Sequence, residues 1–170
     1  MTRYVIDAPT LLHLATEELE IDGRHQLVAP SSIRSEALEL LLVEVVRGVR
    51  TEKAALQCHE RMTEIKIRVL GDRVSRRTAW RIARQQGWDT LRDAEYLAVT
   101  RLQADALVTL DAELARKAEP LVPLATLADL LSEAAAAPRA TKDVQHDGDD
   151  HDDDENGPQH DLHSAPGSTR

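Results

Sequence analysis

The stretch Ala106-Leu107-Val108-Thr109-Leu110-Asp111 decides the fold, because it is an apolar run that ends at an acid. Such a run predicts a strand that leads into a loop. A second run of this kind, Tyr4-Val5-Ile6, ends at Asp7 near the start of the chain. Alternating apolar residues over 65–69 predict another strand, and residues 121–124 predict the last one.

Segments with helical periodicity separate these strands. Their apolar residues recur at helical spacing, and residues that favour helix boundaries, such as Ser32 and Gly87, stand at their ends. The predicted helices begin near Pro9, Ser32, Thr51, Ser75, Thr90, Asp111 and Thr126. Because strands alternate with helices, we predict a central parallel sheet with right-handed crossovers and helices on both faces. The predicted fold class is therefore a three-layer α/β/α sandwich.

The composition of the chain changes at Pro138. The 170 residues include 42% hydrophobic and 30% charged residues, as in soluble globular domains. Residues 138–170, by contrast, contain few apolar side chains, too few to offset the entropy lost on ordering them. We predict one folded domain over residues 1–137 and a disordered, acidic, histidine-containing tail over residues 138–170.

The cysteine content and the N-terminal residues predict a cytoplasmic protein. The single cysteine, Cys58, cannot form an internal disulfide, and no apolar segment of a secretory signal follows Met1. No apolar run approaches the roughly 20 residues that a membrane-spanning helix needs. We therefore expect no membrane association.

Four acids fall at one edge of the predicted sheet. Asp7 and Asp111 each end a strand, whereas Glu36 and Asp93 lie in the first turns of predicted helices. In a parallel α/β sheet these positions share the edge where ligands bind. Four carboxylates with no Lys or Arg at an equivalent position would repel one another unless a cation neutralised them. An all-oxygen set favours Mg²⁺ or Mn²⁺, ions that typically act on phosphate esters.

Four short motifs surround these acids. They are Val5-Ile6-Asp7-Ala8, residues 30–36, Asp93-Ala94-Glu95-Tyr96-Leu97-Ala98 and Val108-Thr109-Leu110-Asp111. In this order and spacing, residues 3–132 resemble the PIN-domain ribonucleases, in particular the VapC-type toxins of bacterial toxin-antitoxin pairs. Pro9 departs from the family pattern, where a small polar residue is more usual, and the acidic tail is not a general family feature.

The resemblance implies a Mg²⁺-dependent endoribonuclease toxin in which Mn²⁺ can replace Mg²⁺. The residues that correspond to the catalytic, metal-binding acids of the family are Asp7, Glu36, Asp93 and Asp111, here called the acidic quartet. Thr10 and Thr109 correspond to polar residues beside the site that contact the substrate. The implied partners are an RNA substrate and a cognate antitoxin that neutralises the toxin by covering the acidic edge.

The resemblance also implies a homodimer. Leu41, Leu42, Val45 and Val46 give the second predicted helix more apolar surface than one core-facing side requires. We expect the surplus apolar surface to contribute to the dimer interface.

A basic helix offers a second surface for nucleic acid. The residues that recur along one side of it, here called the arginine stripe, are Arg73, Arg77, Arg81 and Arg84. The residues that its other side offers to the core are Val74, Ala79, Ile82 and Ala83. Such a stripe suits a phosphate backbone, and the alternative is a solvated face paired with acids. Trp80 and Trp88 are candidates for stacking on unpaired bases.

Two other functions remain open at the level of the sequence. A catalytically inactive PIN-like interaction domain would keep the fold without binding metal, and a metal titration would identify it. A receiver-like phospho-acceptor module also uses acids at a strand edge with Mg²⁺. The chain lacks the adjacent acid pair after its first strand and the lysine after its last strand that such a module would have.

Overall fold

The computed structural model describes residues 1–132, so the predicted tail from residue 138 onward lies outside the described residues. Within residues 1–132 the strands are Thr2–Ile6 (β1), His25–Pro30 (β2), Ile67–Leu70 (β3), Ala106–Val108 (β4) and Leu124–Ala125 (β5). The helices there are Ala8–Thr16 (α1), Ile33–Val46 (α2), Glu52–Glu64 (α3), Arg73–Gln86 (α4), Arg92–Gln103 (α5), Ala112–Ala118 (α6) and Leu127–Leu130 (α7).

The strands form one parallel sheet in the order β3-β2-β1-β4-β5. Val5 of β1 is in register with Val28 of β2 on one side and with Leu107 of β4 on the other. The helices form two groups, α1 with α2 and α3, and α4 with α5, and α5 packs on β1, β2 and β4. The prediction of a three-layer α/β/α fold with a central parallel sheet is confirmed.

Strand β2 is not predicted from the sequence. Its first residues, His25 and Gln26, are half-buried, and only Leu27-Val28-Ala29 forms an apolar run, which is fully buried. Pro30, two residues before the predicted helix start at Ser32, is the last residue of this strand, in register with Leu70 of β3. A proline is tolerated there because few ladder hydrogen bonds remain to be donated at a strand end.

Several element boundaries also differ from the predicted ones. Ile65 ends α3 rather than starting β3, and α5 begins at Arg92 rather than near Thr90. Strand β4 ends at Val108, so Thr109 lies in the loop at the carboxyl edge of the sheet. In this loop the Thr109 hydroxyl forms hydrogen bonds with Asp7 and with the Asp111 amide.

Helix ends follow local sequence signals. Asp7 and Asp111 each accept hydrogen bonds from backbone amides in the first turn of the next helix, α1 and α6 respectively. Thr51 caps α3 in the same way, as predicted. Gly87 ends α4 with φ of +69°, a conformation that glycine adopts without the cost of a Cβ. Two quartet acids are therefore also helix caps.

The core lies between the sheet and the two helix groups. Its largest fully buried side chains include Ile6, Leu11, Ile33, Leu97 and Leu107. No helix among residues 1–132 is long and apolar enough to cross a bilayer.

Candidate functional site

The acidic quartet is placed at the carboxyl edge of the sheet, around its topological switch point. Asp7 follows β1 and Asp111 follows β4, two paired strands between which the chain runs out to β2 and β3. Thr109 links the two acids, because its hydroxyl donates to Asp7 Oδ2 and accepts from the Asp111 amide at 3.0 Å. Open α/β sheets bind their ligands in the crevice at such a point.

Asp7 is the most buried member of the quartet, with 2% of its surface exposed. Its Oδ1 accepts from the Thr10 amide at 3.0 Å and from the Thr10 hydroxyl, and its Oδ2 accepts from Thr109. Burial raises the pKa of this carboxyl, and the charge of Asp111 adds to the rise, while the threonine hydrogen bonds oppose it. A nearby cation would favour the ionised form.

Thr10 and Thr109 serve Asp7 directly. Thr10 is fully buried, and its hydroxyl also accepts from the Leu110 amide at 3.2 Å. A contact with substrate, as the resemblance implies for Thr10, would need a hydroxyl that is accessible. The structure instead gives Thr10 the role of holding the carboxylate, whereas Thr109 is half-buried.

Glu36 is held by side chains from α5 and from the residue that precedes α2. Ser32 Oγ donates to Glu36 Oε1 at 2.6 Å, and the Tyr96 hydroxyl donates to Oε2 at 2.9 Å. Arg92 Nε lies 3.5 Å from the same Oε2. Ser32 stands at the start of α2 as predicted, but its hydroxyl is used by Glu36 instead of by the helix backbone.

Asp93 is paired with a lysine from another helix. Lys117 Nζ lies 2.7 Å from Asp93 Oδ2 and 3.0 Å from Glu113 Oε1, and 5.4 Å from the centre of the Trp88 ring. Hydrogen bonds to Asp93 and Glu113 raise the pKa of Lys117. The ammonium is therefore charged beside the quartet.

The expectation that the quartet has no cationic partner is wrong. Arg92 pairs with Glu36, and Lys117 pairs with Asp93. Sequence reasoning missed Lys117 because it lies 24 positions after Asp93 in the chain, and no local pattern specifies a contact over that separation. The one available signal was the i,i+4 pair of Glu113 and Lys117, which predicts only a helical salt bridge.

The donor chemistry of the quartet fits a hard divalent cation. Within residues 1–132 no three His, Cys, Asp or Glu side chains already stand in an arrangement that would hold a metal ion. All four quartet members nevertheless offer carboxylate oxygens, the ligand type that Mg²⁺ and Mn²⁺ prefer. In the described part of the chain, neither Asp7 nor Asp111 has an ion pair within 4.0 Å. A bound cation would therefore neutralise these two acids first.

The arginine stripe is exposed on α4. A shallow depression of about 400 Å³ lies along it. Its lining consists of three stripe residues, Arg77, Arg81 and Arg84, together with Trp80 and Gln85. Among residues 1–132, none of the four stripe guanidinium groups has an acidic partner within 4.0 Å. The alternative, that the stripe is a solvated face whose arginines pair with acids, therefore finds no support in the described part of the chain. The stripe is accessible to an anionic ligand.

The two tryptophans occupy different environments. Trp80 has 61% of its surface exposed within the depression on α4, whereas Trp88 is half-buried beneath Lys117. On the core side of α4, Ala79, Ile82 and Ala83 are buried as predicted. Val74, also predicted to face the core, is 61% exposed and so lies on the solvent side of the helix.

A polar cleft lies beside Ser32. It has a volume of about 310 Å³ and is lined by Ser31, Ser32, Ser75, Arg76, Glu95 and neighbouring apolar residues. Gly71 forms part of its wall, and a Cβ there would come within 2.6 Å of Ser31 Oγ. Because Ser32 bonds to Glu36, the cleft adjoins the quartet. The sequence contains no signal for it, since its walls come from separate loops and helices.

Helix α2 exposes an apolar face towards solvent. Leu42 and Val46 are 61% and 77% exposed, and Leu38 and Leu56 add to the same face along a groove of about 490 Å³ between α2 and α3. Leu41, predicted as part of this surface, is instead buried in the core.

Comparisons with known proteins bear on the fold. No protein-family model matches the chain, and no curated protein matches it in sequence. The chain is similar to the solved crystal structure of PAE2754 from Pyrobaculum aerophilum, with a TM-score of 0.55 and 23% identity. The match covers 75% of this chain and 92% of that one. The chain thus shares its fold with PAE2754, and its function has to follow from its own residues.

Proposed function

We propose that this protein is a Mg²⁺-dependent endoribonuclease of the PIN-domain, VapC toxin type. The observation that carries the proposal is the burial of Asp7 beside Asp111 at the switch point of the sheet. Asn, Ser or Thr would cap α1 as well as Asp does, without the cost of burying a carboxylate. A buried acid with a raised pKa in a ligand-binding crevice is instead typical of a functional group.

The residues around the quartet would hold it ready for catalysis. Thr10 and Thr109 fix both oxygens of Asp7, and Ser32 and Tyr96 fix both oxygens of Glu36. Such bonds reduce the reorganisation needed when ligands bind. A divalent ion bound there would lower the pKa of a water molecule and stabilise charge on the scissile phosphate.

The substrate would be RNA with an accessible single strand. The arginine stripe has no acidic partners in residues 1–132, so its charges are available for phosphates. Trp80 lies exposed among Arg77, Arg81 and Arg84, and an aromatic ring among guanidinium groups suits a stacked base. Lys117 contacts both the ring of Trp88, which follows α4, and the carboxylate of Asp93.

The proposed partners are a second copy of the chain and a cognate antitoxin, in the cytoplasm. The exposed apolar face of α2 and α3 supports a protein partner, because apolar patches of this kind mark interaction surfaces. An arginine of the antitoxin would suit the acidic edge, since a guanidinium matches carboxylate geometry.

A catalytically inactive interaction domain is the second candidate. It is favoured by the pairing of Glu36 with Arg92 and of Asp93 with Lys117, which neutralises half of the quartet without any metal. In that case the chain would bind its partners but would not cleave RNA.

Cleavage of single-stranded RNA by the purified full chain, with Mg²⁺, Mn²⁺ or EDTA, tests the proposal. We expect Asp7→Asn and Asp93→Asn each to lower the cleavage rate by about 100-fold or more. Asp105→Asn is the matched control, because Asp105 is exposed and accepts from the Arg3 amide outside the quartet. Equal cleavage by wild type and both quartet variants would contradict the proposed site and point to a contaminating nuclease.

A further inference from the structure

We propose that Lys117 has two roles: it is the counter-ion of Asp93 in the metal-free chain, and it binds an RNA phosphate once a divalent ion takes Asp93. The inference rests on the proposed function, since it requires a metal at the quartet and an RNA substrate. It assigns a substrate-binding residue on α6, a helix that carries none of the residues expected to contact RNA.

The contacts of Lys117 place a cation at the quartet. Its Nζ lies 2.7 Å from Asp93 Oδ2, and the two side chains are only 23% and 20% exposed. A divalent ion and an ammonium would compete for this carboxylate, because two adjacent cations repel each other. Lys117 should therefore weaken metal binding in the absence of substrate.

The other two contacts keep the ammonium in place if Asp93 is taken. Glu113 Oε1 lies 3.0 Å from Nζ, and the face of Trp88 lies 5.4 Å away. An ammonium has three donors, so loss of one partner leaves it held by the carboxylate of Glu113 and by the ring. A lysine with Asp93 as its sole partner would instead turn out into solvent.

An RNA phosphate would resolve the repulsion between the bound ion and the ammonium. An anion placed between two cations is attracted to both, and a lysine is a common point-charge ligand for phosphate. Trp88 follows α4 directly after Gly87, so the ring that Lys117 contacts comes four residues after Arg84, the last arginine of the stripe. A strand bound along the stripe would reach Lys117 on its way to the quartet.

The two roles predict effects of opposite sign on two ligands. Lys117→Met removes the charge and keeps the apolar stem, and Arg116→Met removes the same charge from an exposed neighbour on α6. We expect Lys117→Met to bind Mn²⁺ about fivefold more tightly, measured by calorimetry on the full chain without RNA. It should bind labelled single-stranded RNA about fivefold more weakly, measured by anisotropy with Ca²⁺ in place of Mg²⁺.

The controls separate the inference from the proposed function. Arg116→Met should change both affinities less than Lys117→Met does. Lys117→Arg keeps the charge, so it should bind RNA more tightly than Lys117→Met does. If the melting temperature of Lys117→Met is much lower than that of wild type, Lys117→Gln is used in both assays in its place. If the Mn²⁺ affinity of Lys117→Met equals or falls below that of wild type, or its RNA affinity is unchanged, the inference is wrong while the metal site stands. If wild type binds no more Mn²⁺ than Asp7→Asn, both the site and the inference are wrong.

Discussion

The Tyr96 hydroxyl donates a hydrogen bond to Glu36 Oε2 at 2.9 Å, which joins α5 to α2 across the candidate site. Tyr96 is 2% exposed, and burial together with the charges of Glu36 and Asp7 raises its pKa far above the usual value. The phenol therefore keeps its proton and remains the donor of this hydrogen bond. The bond holds one oxygen of Glu36 in place.

We expect Tyr96→Phe to impair cleavage more than it impairs folding. The substitution removes one hydrogen bond, worth about 1 kcal/mol of stability, and leaves the ring in the core. Without the phenol, Arg92 is the partner that remains at Glu36 Oε2, and loss of such a supporting bond typically costs about tenfold or more in metal affinity or activity. Calorimetry with Mn²⁺ and an RNA cleavage assay give the two readouts.

Tyr4→Phe is the matched control for Tyr96→Phe, because Tyr4 lies on β1 with its ring against His25. It should retain wild-type metal affinity. A Tyr96→Phe variant that loses stability but keeps full cleavage and Mn²⁺ affinity would show that the phenol has only a structural role.

Asp7→Asn should stabilise the metal-free chain while it abolishes cleavage. The pKa of Asp7 is raised by burial above its usual value of 3.8, so between pH 3.8 and that raised pKa the folded state holds a proton that the unfolded state has lost. Folding stability therefore falls as the pH rises from 3.8 through the raised pKa, and it stays lower above that value. Asparagine still caps α1 but carries no charge, and we expect roughly 1 kcal/mol of added stability at neutral pH.

Thermal melts of wild type and Asp7→Asn between about pH 4 and pH 8, without divalent ions, measure this difference. The two melting temperatures should approach each other at the acidic end and diverge as the pH rises. Curves that run parallel over the whole range would mean that Asp7 carries no unfavourable charge in the folded chain.

The positions of the quartet are predictable because each depends on a local pattern. Asp7 and Asp111 end apolar runs, and Glu36 and Asp93 begin helices, so the parallel sheet suffices to place them at one edge. The partners that hold them are not predictable in this way. Lys117 contacts Asp93 across 24 positions of the chain, and no short stretch of sequence specifies such a contact.

Strand β2 shows the same limit in the fold. Its register with β1 and β3 buries Leu27, Val28 and Ala29, but three apolar residues followed by Pro30 resemble a loop as much as a strand. The buried surface that decides between them is supplied by neighbouring strands. Pairing with β1 and β3 therefore makes residues 25–30 a strand, which their local sequence pattern does not indicate.

Loss of stripe arginines should weaken RNA binding in a salt-dependent way. Replacing Arg81 or Arg84 with Ala removes an exposed charge without an acidic partner in residues 1–132, so the fold should be unaffected. Each replacement should reduce the slope of log affinity against log salt by about one if the side chain contacts a phosphate. Fluorescence anisotropy over a range of KCl concentrations measures the slope.

Arg47→Ala is the control for the stripe, because Arg47 is an exposed arginine at the end of α2. Trp80→Ala should weaken binding at every salt concentration by about 1 kcal/mol or more without changing the slope, since stacking releases no counterions. If Arg47→Ala lowers the slope as much as Arg81→Ala does, RNA binding follows net charge and the stripe is not a binding surface.

The apolar face of α2 should hold two copies of the chain together. Leu42 is 61% exposed there, and exposed apolar patches of this kind are typical of protein interfaces. We expect light scattering to find a dimer for wild type and a monomer for Leu42→Asp, because a buried, unpaired carboxylate at the interface costs several kcal/mol. Val74→Asp is the matched control: Val74 has the same exposed fraction on α4, so its substitution adds the same charge in place of an equally exposed apolar side chain. A dimer that survives Leu42→Asp would place the interface elsewhere, and a monomeric wild type would leave the α2 face to another partner.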